Sequence, residues 1–169
     1  MASMRRSVLV SLLFIVFGGP GFVLVYIPYW LTRFHIPASE PEWQIVLAAT
    51  LIAAGAAPAF ESMRRFVIVG RGTLVPAVPT ERLVVSGFYR HVRNPMYTGL
   101  LVVLLGEAIL FESRGLVIYI AAIWLVTHLF VCFYEEPTLT RRYGVEYLRF
   151  KKHVPRWIPR LRPWRGSAS

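Results

Sequence analysis

Apolar residues gather into four long runs divided by shorter polar stretches: residues 8–31, 43–60, 97–111 and 116–134. A bilayer core about 30 Å thick takes about 20 apolar residues per spanning helix. The first and fourth runs are long enough. The second and third are short, and need polar-looking flanks or a thinned bilayer to cross. The first run is interrupted by Gly18, Gly19, Pro20, Gly21 and Pro28. Arg5 and Arg6 ahead of it imitate a cleaved leader, yet the run is long for one and lacks a small-x-small cleavage site, so it reads as a retained helix. The pattern predicts an all-α, multi-pass membrane helix bundle: about four transmembrane helices, a cytoplasmic loop and a C-terminal interfacial helix. These form a single domain over residues 1–169. In the second run Ala49, Ala53 and Ala57 recur every four positions, a small-residue face for close helix contact that implies no function.

Composition sharpens this picture. Hydrophobic residues make up 56% of the chain and charged residues 17%, yet the net charge is +10. Such hydrophobicity excludes a disordered chain, and the interrupted charge argues against a soluble nucleic-acid binder. A single cysteine, Cys132, excludes a disulfide framework and a cysteine zinc site; no metal is expected. The placement of charge sets the topology. Of the 19 Lys and Arg residues, 17 fall before the first run, between the second and third, or after the fourth. By the positive-inside rule both termini and the 61–95 segment face the cytoplasm, and a bacterial-type inner membrane is the expected location.

Runs three and four are joined by the short turn of Glu112, Ser113, Arg114 and Gly115, so they form an antiparallel hairpin. Equal arm lengths at about 1.5 Å per residue bring residues 93–97 level with Glu135 and Glu136 at the cytoplasmic edge. Pro95 suits the first turn of a helix, whereas Pro137 disfavours uninterrupted helix after the acidic pair. Two carboxylates near a helix C-terminus call for a cationic partner: an arginine such as Arg90 or Arg93, or a cationic ligand. A plain interfacial salt bridge is the alternative. Gly70, Gly72, Pro76 and Pro79 mark a turn-rich segment between runs two and three, a place where sites commonly lie. In the tail, Leu139, Tyr143, Tyr147 and Phe150 fall at helical spacing, with Arg141, Arg142 and Arg149 elsewhere. That predicts an amphipathic helix on the membrane surface. Pro155, Pro159 and Pro163 end regular helix, and Trp157 and Trp164 among arginines suit the interface with anionic lipid.

Residues 87–99, Gly-Phe-Tyr-Arg-His-Val-Arg-Asn-Pro-Met-Tyr-Thr-Gly, resemble the G-x-Y-x-x-x-R-H-P-x-Y-x-G motif of the isoprenylcysteine carboxyl methyltransferase and phospholipid methyltransferase superfamily. Residues 135–147 resemble its second motif, E-E-x-x-L-x-x-x-F-G-x-x-Y, and Val154-Pro155-Arg156 matches the V-P-R that often follows. The resemblance covers about residues 70–164. It implies an integral membrane methyltransferase that uses S-adenosylmethionine without a Rossmann domain. Cofactor contacts would come from Leu83, Val84, Tyr89, Asn94, Pro95, Met96, Tyr97 and Glu135. Arg93, Glu135 and Glu136 would position the reacting groups, none of them an assigned general base. Asn94 replaces the family's common histidine; it donates and accepts but does not titrate. Val131 stands where prenylcysteine enzymes carry an arginine that helps hold the substrate carboxylate, which points away from that substrate.

The acceptor implied is lipidic or a small hydrophobic molecule, reached sideways from the bilayer. Methyl transfer rests largely on positioning, and only an amine acceptor must first lose a proton. Glu135, Glu136, His128 and His153 are the candidate bases. His128 lies about two turns inside run four, as a functional or a hydrogen-bonded structural histidine. His153 reads as a solvated tail residue, and Glu107 as one that snorkels or pairs with Arg114. Arg90 and Arg93 would anchor an anionic group. The alternatives are a phospholipid amine N-methyltransferase, a sterol-reductase-like NADPH enzyme on a similar scaffold, and a non-enzymatic basic membrane adaptor. The last predicts tolerance of Glu135→Ala and Tyr97→Ala.

Overall fold

The computed structural model describes residues 19–38, 41–68 and 83–166. The readings made on residues 5–18 and on the 70–82 segment lie outside the described residues. Helix α1 covers Phe22–Thr32, α2 Glu42–Ile68 and α3 Pro95–Leu110. Helix α4 runs over Arg114–Tyr143 and α5 over Val145–His153. Among the described residues there is no strand. Two helices are long and apolar enough to cross a membrane, α2 over Glu42–Arg65 and α4; α1 and α3 are shorter and apolar.

Helix α2 is longer than the expected 43–60 because Glu61, Ser62, Met63, Arg64 and Arg65 continue it beyond the apolar run. This carries Glu61, Arg64 and Arg65 past the apolar run. Its most extensive packing is against α3. The contact is made by small residues: a Cβ on Gly55 would lie 2.5 Å from the Gly99 carbonyl oxygen and 2.8 Å from the Val103 nitrogen, and a Cβ on Gly106 2.8 Å from the Ala48 carbonyl oxygen. Ala48 and Ala59 are buried in this seam, while Ala49, Ala53 and Ala57 point outward. The small-residue face is thus real but lies on Ala48, Gly55 and Ala59 rather than on the predicted stripe. Backbones approach there because no side chain intervenes.

Helices α3 and α4 form the expected hairpin. The Ser113 hydroxyl accepts the Leu116 N–H at 3.2 Å, capping the start of α4. Gln44 at the start of α2 donates to the Ile109 carbonyl at 3.2 Å and to Glu112 at 3.2 Å, tying α2 to the turn. Glu107 makes no ion pair with Arg114; one of its carboxylate oxygens is buried without a partner. Ile118, Val126 and Phe133 on α4 and Trp43, Val46 and Phe60 on α2 are largely exposed, an apolar outer surface unlike that of a soluble domain.

Pro137 does not end the helix. The turn before it, Val131–Glu135, widens to π geometry, with the Glu136 N–H bonded to the Val131 carbonyl. The wider turn makes room for the proline ring, which would otherwise clash with the carbonyl four residues back. The same arrangement occurs at Phe22–Tyr26, two residues before Pro28. The tail also departs from expectation. Gly144 (φ 54°) breaks it into the end of α4 and α5. Tyr147, Phe150 and Val154 do not lie open to lipid but form a small buried core, against which Leu83, Val85, Tyr89, Leu139, Tyr143 and Trp164 pack. Aromatic side chains bury more area against a neighbouring segment than a flat surface helix would expose to lipid.

Candidate active site at the foot of the hairpin

The hairpin arms bring their two polar sets together at one end of the bundle. Pro95 opens α3 and Asn94 precedes it, with the Thr98 N–H bonded to the Asn94 carbonyl at 3.0 Å. The Asn94 side chain does not cap the helix. Buried, it donates instead to the Arg156 carbonyl at 3.1 Å. Residues 154–164 run as a strap along the 90–94 turn. The Arg93 N–H donates to the Pro155 carbonyl at 2.8 Å, the Arg160 N–H to His91 at 2.9 Å and the Trp164 N–H to Arg90 at 2.9 Å.

The turn Gly87–Arg90 is held from below by α2. Arg65 pairs with Glu61 and donates to the Ser86 hydroxyl at 2.9 Å. Gly87 sits at φ +61° against these two side chains, where a Cβ would collide with them. Leu83 and Val84 precede the turn, with Val84 buried, and Leu83 packs on the tail core.

The two adjacent glutamates have opposite surroundings. Glu136 is 4% exposed. It meets Arg93 at 2.8 Å, Arg156 at 2.6 Å and Lys151 at 2.8 Å, so its carboxylate is fully engaged. Arg93, from the 90–94 turn, also shares a hydrogen bond with the Tyr147 phenol. Glu136 therefore ties together the turn, α5 and the strap. Glu135 shares a hydrogen bond with Tyr97, and its second oxygen is buried with no partner among the described residues. The phenol of Tyr89 lies in the same field: burial, then Glu135 and Glu61, push its pKa well above the usual tyrosine range. Tyr89, Tyr97 and Glu135 thus form a cluster with one unclaimed acceptor. The Thr98 hydroxyl is likewise buried and unpartnered.

Of the sequence-predicted residues, the structure brings Tyr89, Tyr97 and Glu135 together, joins Arg93 to Glu136, and places Asn94, Pro95 and Met96 at the start of α3 beside them. Arg90 is exposed and stays apart, its guanidinium 3.4 Å from the Val85 carbonyl. His128 accepts the Trp157 indole N–H at Nδ1 (3.0 Å) and stacks on Trp124. His153 is exposed and stacks on Trp164. Sequence reading missed the Lys151 and Arg156 contacts to Glu136 and the Glu61–Arg65–Ser86 support. Arg156 was visible in the Val-Pro-Arg segment, but nothing in its spacing tells which carboxylate it meets.

An apolar helical hairpin with a buried, partly unsatisfied carboxylate cluster at one foot defines a small helical protein with a polar site at the edge of an apolar bundle. A family model, phospholipid methyltransferase, matches residues 43–146, and the chain belongs to this methyltransferase family. The match covers α2, α3, α4 and both glutamates, and stops before the strap. No curated protein matches the chain.

Proposed function

We propose that the chain is an integral membrane methyltransferase that takes S-adenosylmethionine from the cytoplasm and methylates a lipidic or small hydrophobic acceptor drawn from the bilayer. Four helices cross the membrane in this reading, and the basic end with the glutamate pair is cytoplasmic. The observation that carries it is the contrast between the saturated Glu136 and the open Glu135. A buried carboxylate oxygen without a donor costs free energy. The α-ammonium group of S-adenosylmethionine is a donor of matching charge, so the residues present fit it. Leu83, Val84, Tyr89, Asn94, Pro95, Met96, Tyr97 and Glu135 would hold the cofactor, which when bound supplies the methyl group on a sulfonium. Tyr97 orients the Glu135 carboxylate through their shared hydrogen bond. Glu136 with Arg93, Arg156 and Lys151 holds the surrounding segments in place. The core of Tyr147, Phe150 and Val154 shields the cluster from water on the tail side. Val131, 1% exposed, offers no charge to an acceptor carboxylate.

The test is equilibrium binding of S-adenosylmethionine to the full chain purified in detergent. Glu135→Gln should weaken binding at least about tenfold, the loss expected of one charge-assisted hydrogen bond. Binding of NADPH with none of S-adenosylmethionine overturns the reading. Binding of neither supports the adaptor alternative.

A further inference from the structure

The strap carries two of the most exposed apolar side chains among the described residues. Ile158 is 80% and Leu161 97% exposed, although both sit beside tightly held neighbours. Trp157, next to Ile158, donates its indole N–H to His128 at 3.0 Å. Tryptophan has no acceptor, so Nδ1 of His128 must accept and the contact is directional. His128 lies eight residues before Glu136 on α4, about 12 Å further into the bundle at helical rise. The Trp157 side chain therefore reaches from the strap toward a level where α4 turns Leu125, Val126 and Leu129 outward. Ile158 follows directly in sequence, with its side chain exposed.

Part of the strap's backbone is already satisfied, which suits a place at the membrane boundary. A chain within hydrocarbon must leave few N–H and C=O groups unpaired. Pro155, Pro159 and Pro163 have no N–H to satisfy. The Arg160 N–H and carbonyl are both paired with His91, at 2.9 Å and 2.8 Å, and the Trp164 N–H with Arg90. The charge pattern completes the picture: Arg162 and Arg165 are exposed where the strap returns, and Arg160 is half-buried with one guanidinium nitrogen on the His153 carbonyl. Cations at the rim and branched apolar side chains at the tip match an anionic lipid leaflet.

We propose that residues 157–161 form a wedge inserted into the cytoplasmic leaflet of an anionic bilayer, with Ile158 among the acyl chains and Leu161 at the headgroup boundary. The proposal rests on the reading that α4 spans the bilayer. Its consequence is local. The carbonyls of Pro155 and Arg156 hold the Arg93 backbone and the Asn94 side chain, so the leaflet that seats the wedge also steadies the candidate site.

The test uses the full chain in nanodiscs, with Cys132→Ser as background. A single cysteine is then introduced by Ile158→Cys, Leu161→Cys, Val126→Cys or Lys152→Cys, one per variant, and carries an environment-sensitive fluorophore. All four native side chains are exposed, so the labels displace no packing. Nitroxide lipids labelled at the headgroup or along the acyl chain serve as quenchers. In phosphatidylglycerol-rich discs the label at position 158 should lose about half its emission to the acyl-chain nitroxide, and the label at position 161 a similar share to the headgroup nitroxide. The label at position 152 should respond to aqueous iodide alone. Quenching in pure phosphatidylcholine should be weaker. Quenching at position 126 with none at position 158 overturns the wedge while leaving α4 in the bilayer; no quenching at position 126 overturns the spanning helix and the wedge with it. A label at position 158 shielded from both iodide and lipid nitroxide shows a second protein on this surface and also overturns the proposal. Equal quenching in both lipids removes the anionic-leaflet requirement.

Discussion

At the scale of single residues, neighbouring glutamates with the same chemistry separate by what surrounds them. Glu136 pairs with Arg93, Arg156 and Lys151 at once. Removing its charge strands a largely buried guanidinium, and breaking a buried pair from one side costs about 3–5 kcal/mol. Glu136→Gln should therefore lower the melting temperature of the purified protein by several degrees, whereas Glu135→Gln, which keeps an oxygen for the Tyr97 hydrogen bond and breaks no ion pair, should leave it nearly unchanged. Equal melting temperatures for the two variants would remove the distinction. Tyr147 gives a second handle. Burial, with the Glu136 carboxylate adding to it, pushes its phenol up to about 12 from the ordinary 10.0. Because the folded value is the higher, the unfolded chain ionises first. The contribution is intact below pH 10 and is lost as pH rises from 10 toward 12. Tyr147→Phe should flatten the alkaline fall in melting temperature across that window. It should not abolish it, since the buried Tyr89 phenol shifts the same way. An unchanged alkaline slope in the phenylalanine variant would show that Tyr147 does not titrate as described.

At the scale of elements, the hairpin was legible because its evidence is arithmetic: a short turn, two apolar arms and polar residues at equal distances from it. That count brings residues 93–97 level with Glu135 and Glu136, while the particular pairs, Arg93 with Glu136 and Tyr97 with Glu135, are set by the structure. The α2–α3 seam was less legible. Small residues occur on several faces of α2, and spacing alone does not say which face meets a neighbour. Gly55 decides it, because the Gly99 carbonyl and the Val103 nitrogen come close enough there to exclude a Cβ. Gly99→Leu should accordingly destabilise the protein by about 1–3 kcal/mol through overpacking against backbone that has no room to shift. Ala53→Leu, on the outward face, should change stability by less than about 0.5 kcal/mol. Thermal unfolding in one detergent compares them, and a harmless Gly99→Leu would mean the helices do not cross as closely as Gly55 and Gly99 do here. The π turns before Pro28 and Pro137 were not readable at all. Proline marks a conflict in the hydrogen-bond ladder, but the sequence does not say whether the helix breaks or widens. The tail core was missed for a related reason. An apolar stripe at helical spacing looks the same whether it meets lipid or, as with Tyr147 and Phe150, a segment some sixty residues earlier in the chain.

At the scale of the whole molecule, the asymmetry of charge is the feature that ties fold to site. Two sets stand out among the described basic residues at the glutamate end. Arg65, Arg93, Lys151 and Arg156 are engaged in ion pairs that build the site, whereas Arg141, Arg142, Arg149, Arg162 and Arg165 are exposed. The exposed set has no such structural task, yet it sits on the same side as the first. Retention of the basic side during insertion accounts for both sets with one orientation. The prediction is that the glutamate end is cytoplasmic. A green fluorescent protein fused after Ser169 should fluoresce in whole bacterial cells, and alkaline phosphatase fused there should be inactive. Phosphatase inserted at Ser113, in the α3–α4 turn at the opposite end, should be active. Replacing Arg141, Arg142, Arg149, Arg162 and Arg165 by glutamine should weaken this preference while leaving every ion pair to Glu136 in place, so a mixed reporter signal would appear in a protein whose folded fraction still melts like the parent. An active phosphatase after Ser169 in the parent chain would put the glutamate pair on the wrong side of the membrane for a cofactor made in the cytoplasm, and the orientation and the proposed reaction would fall together.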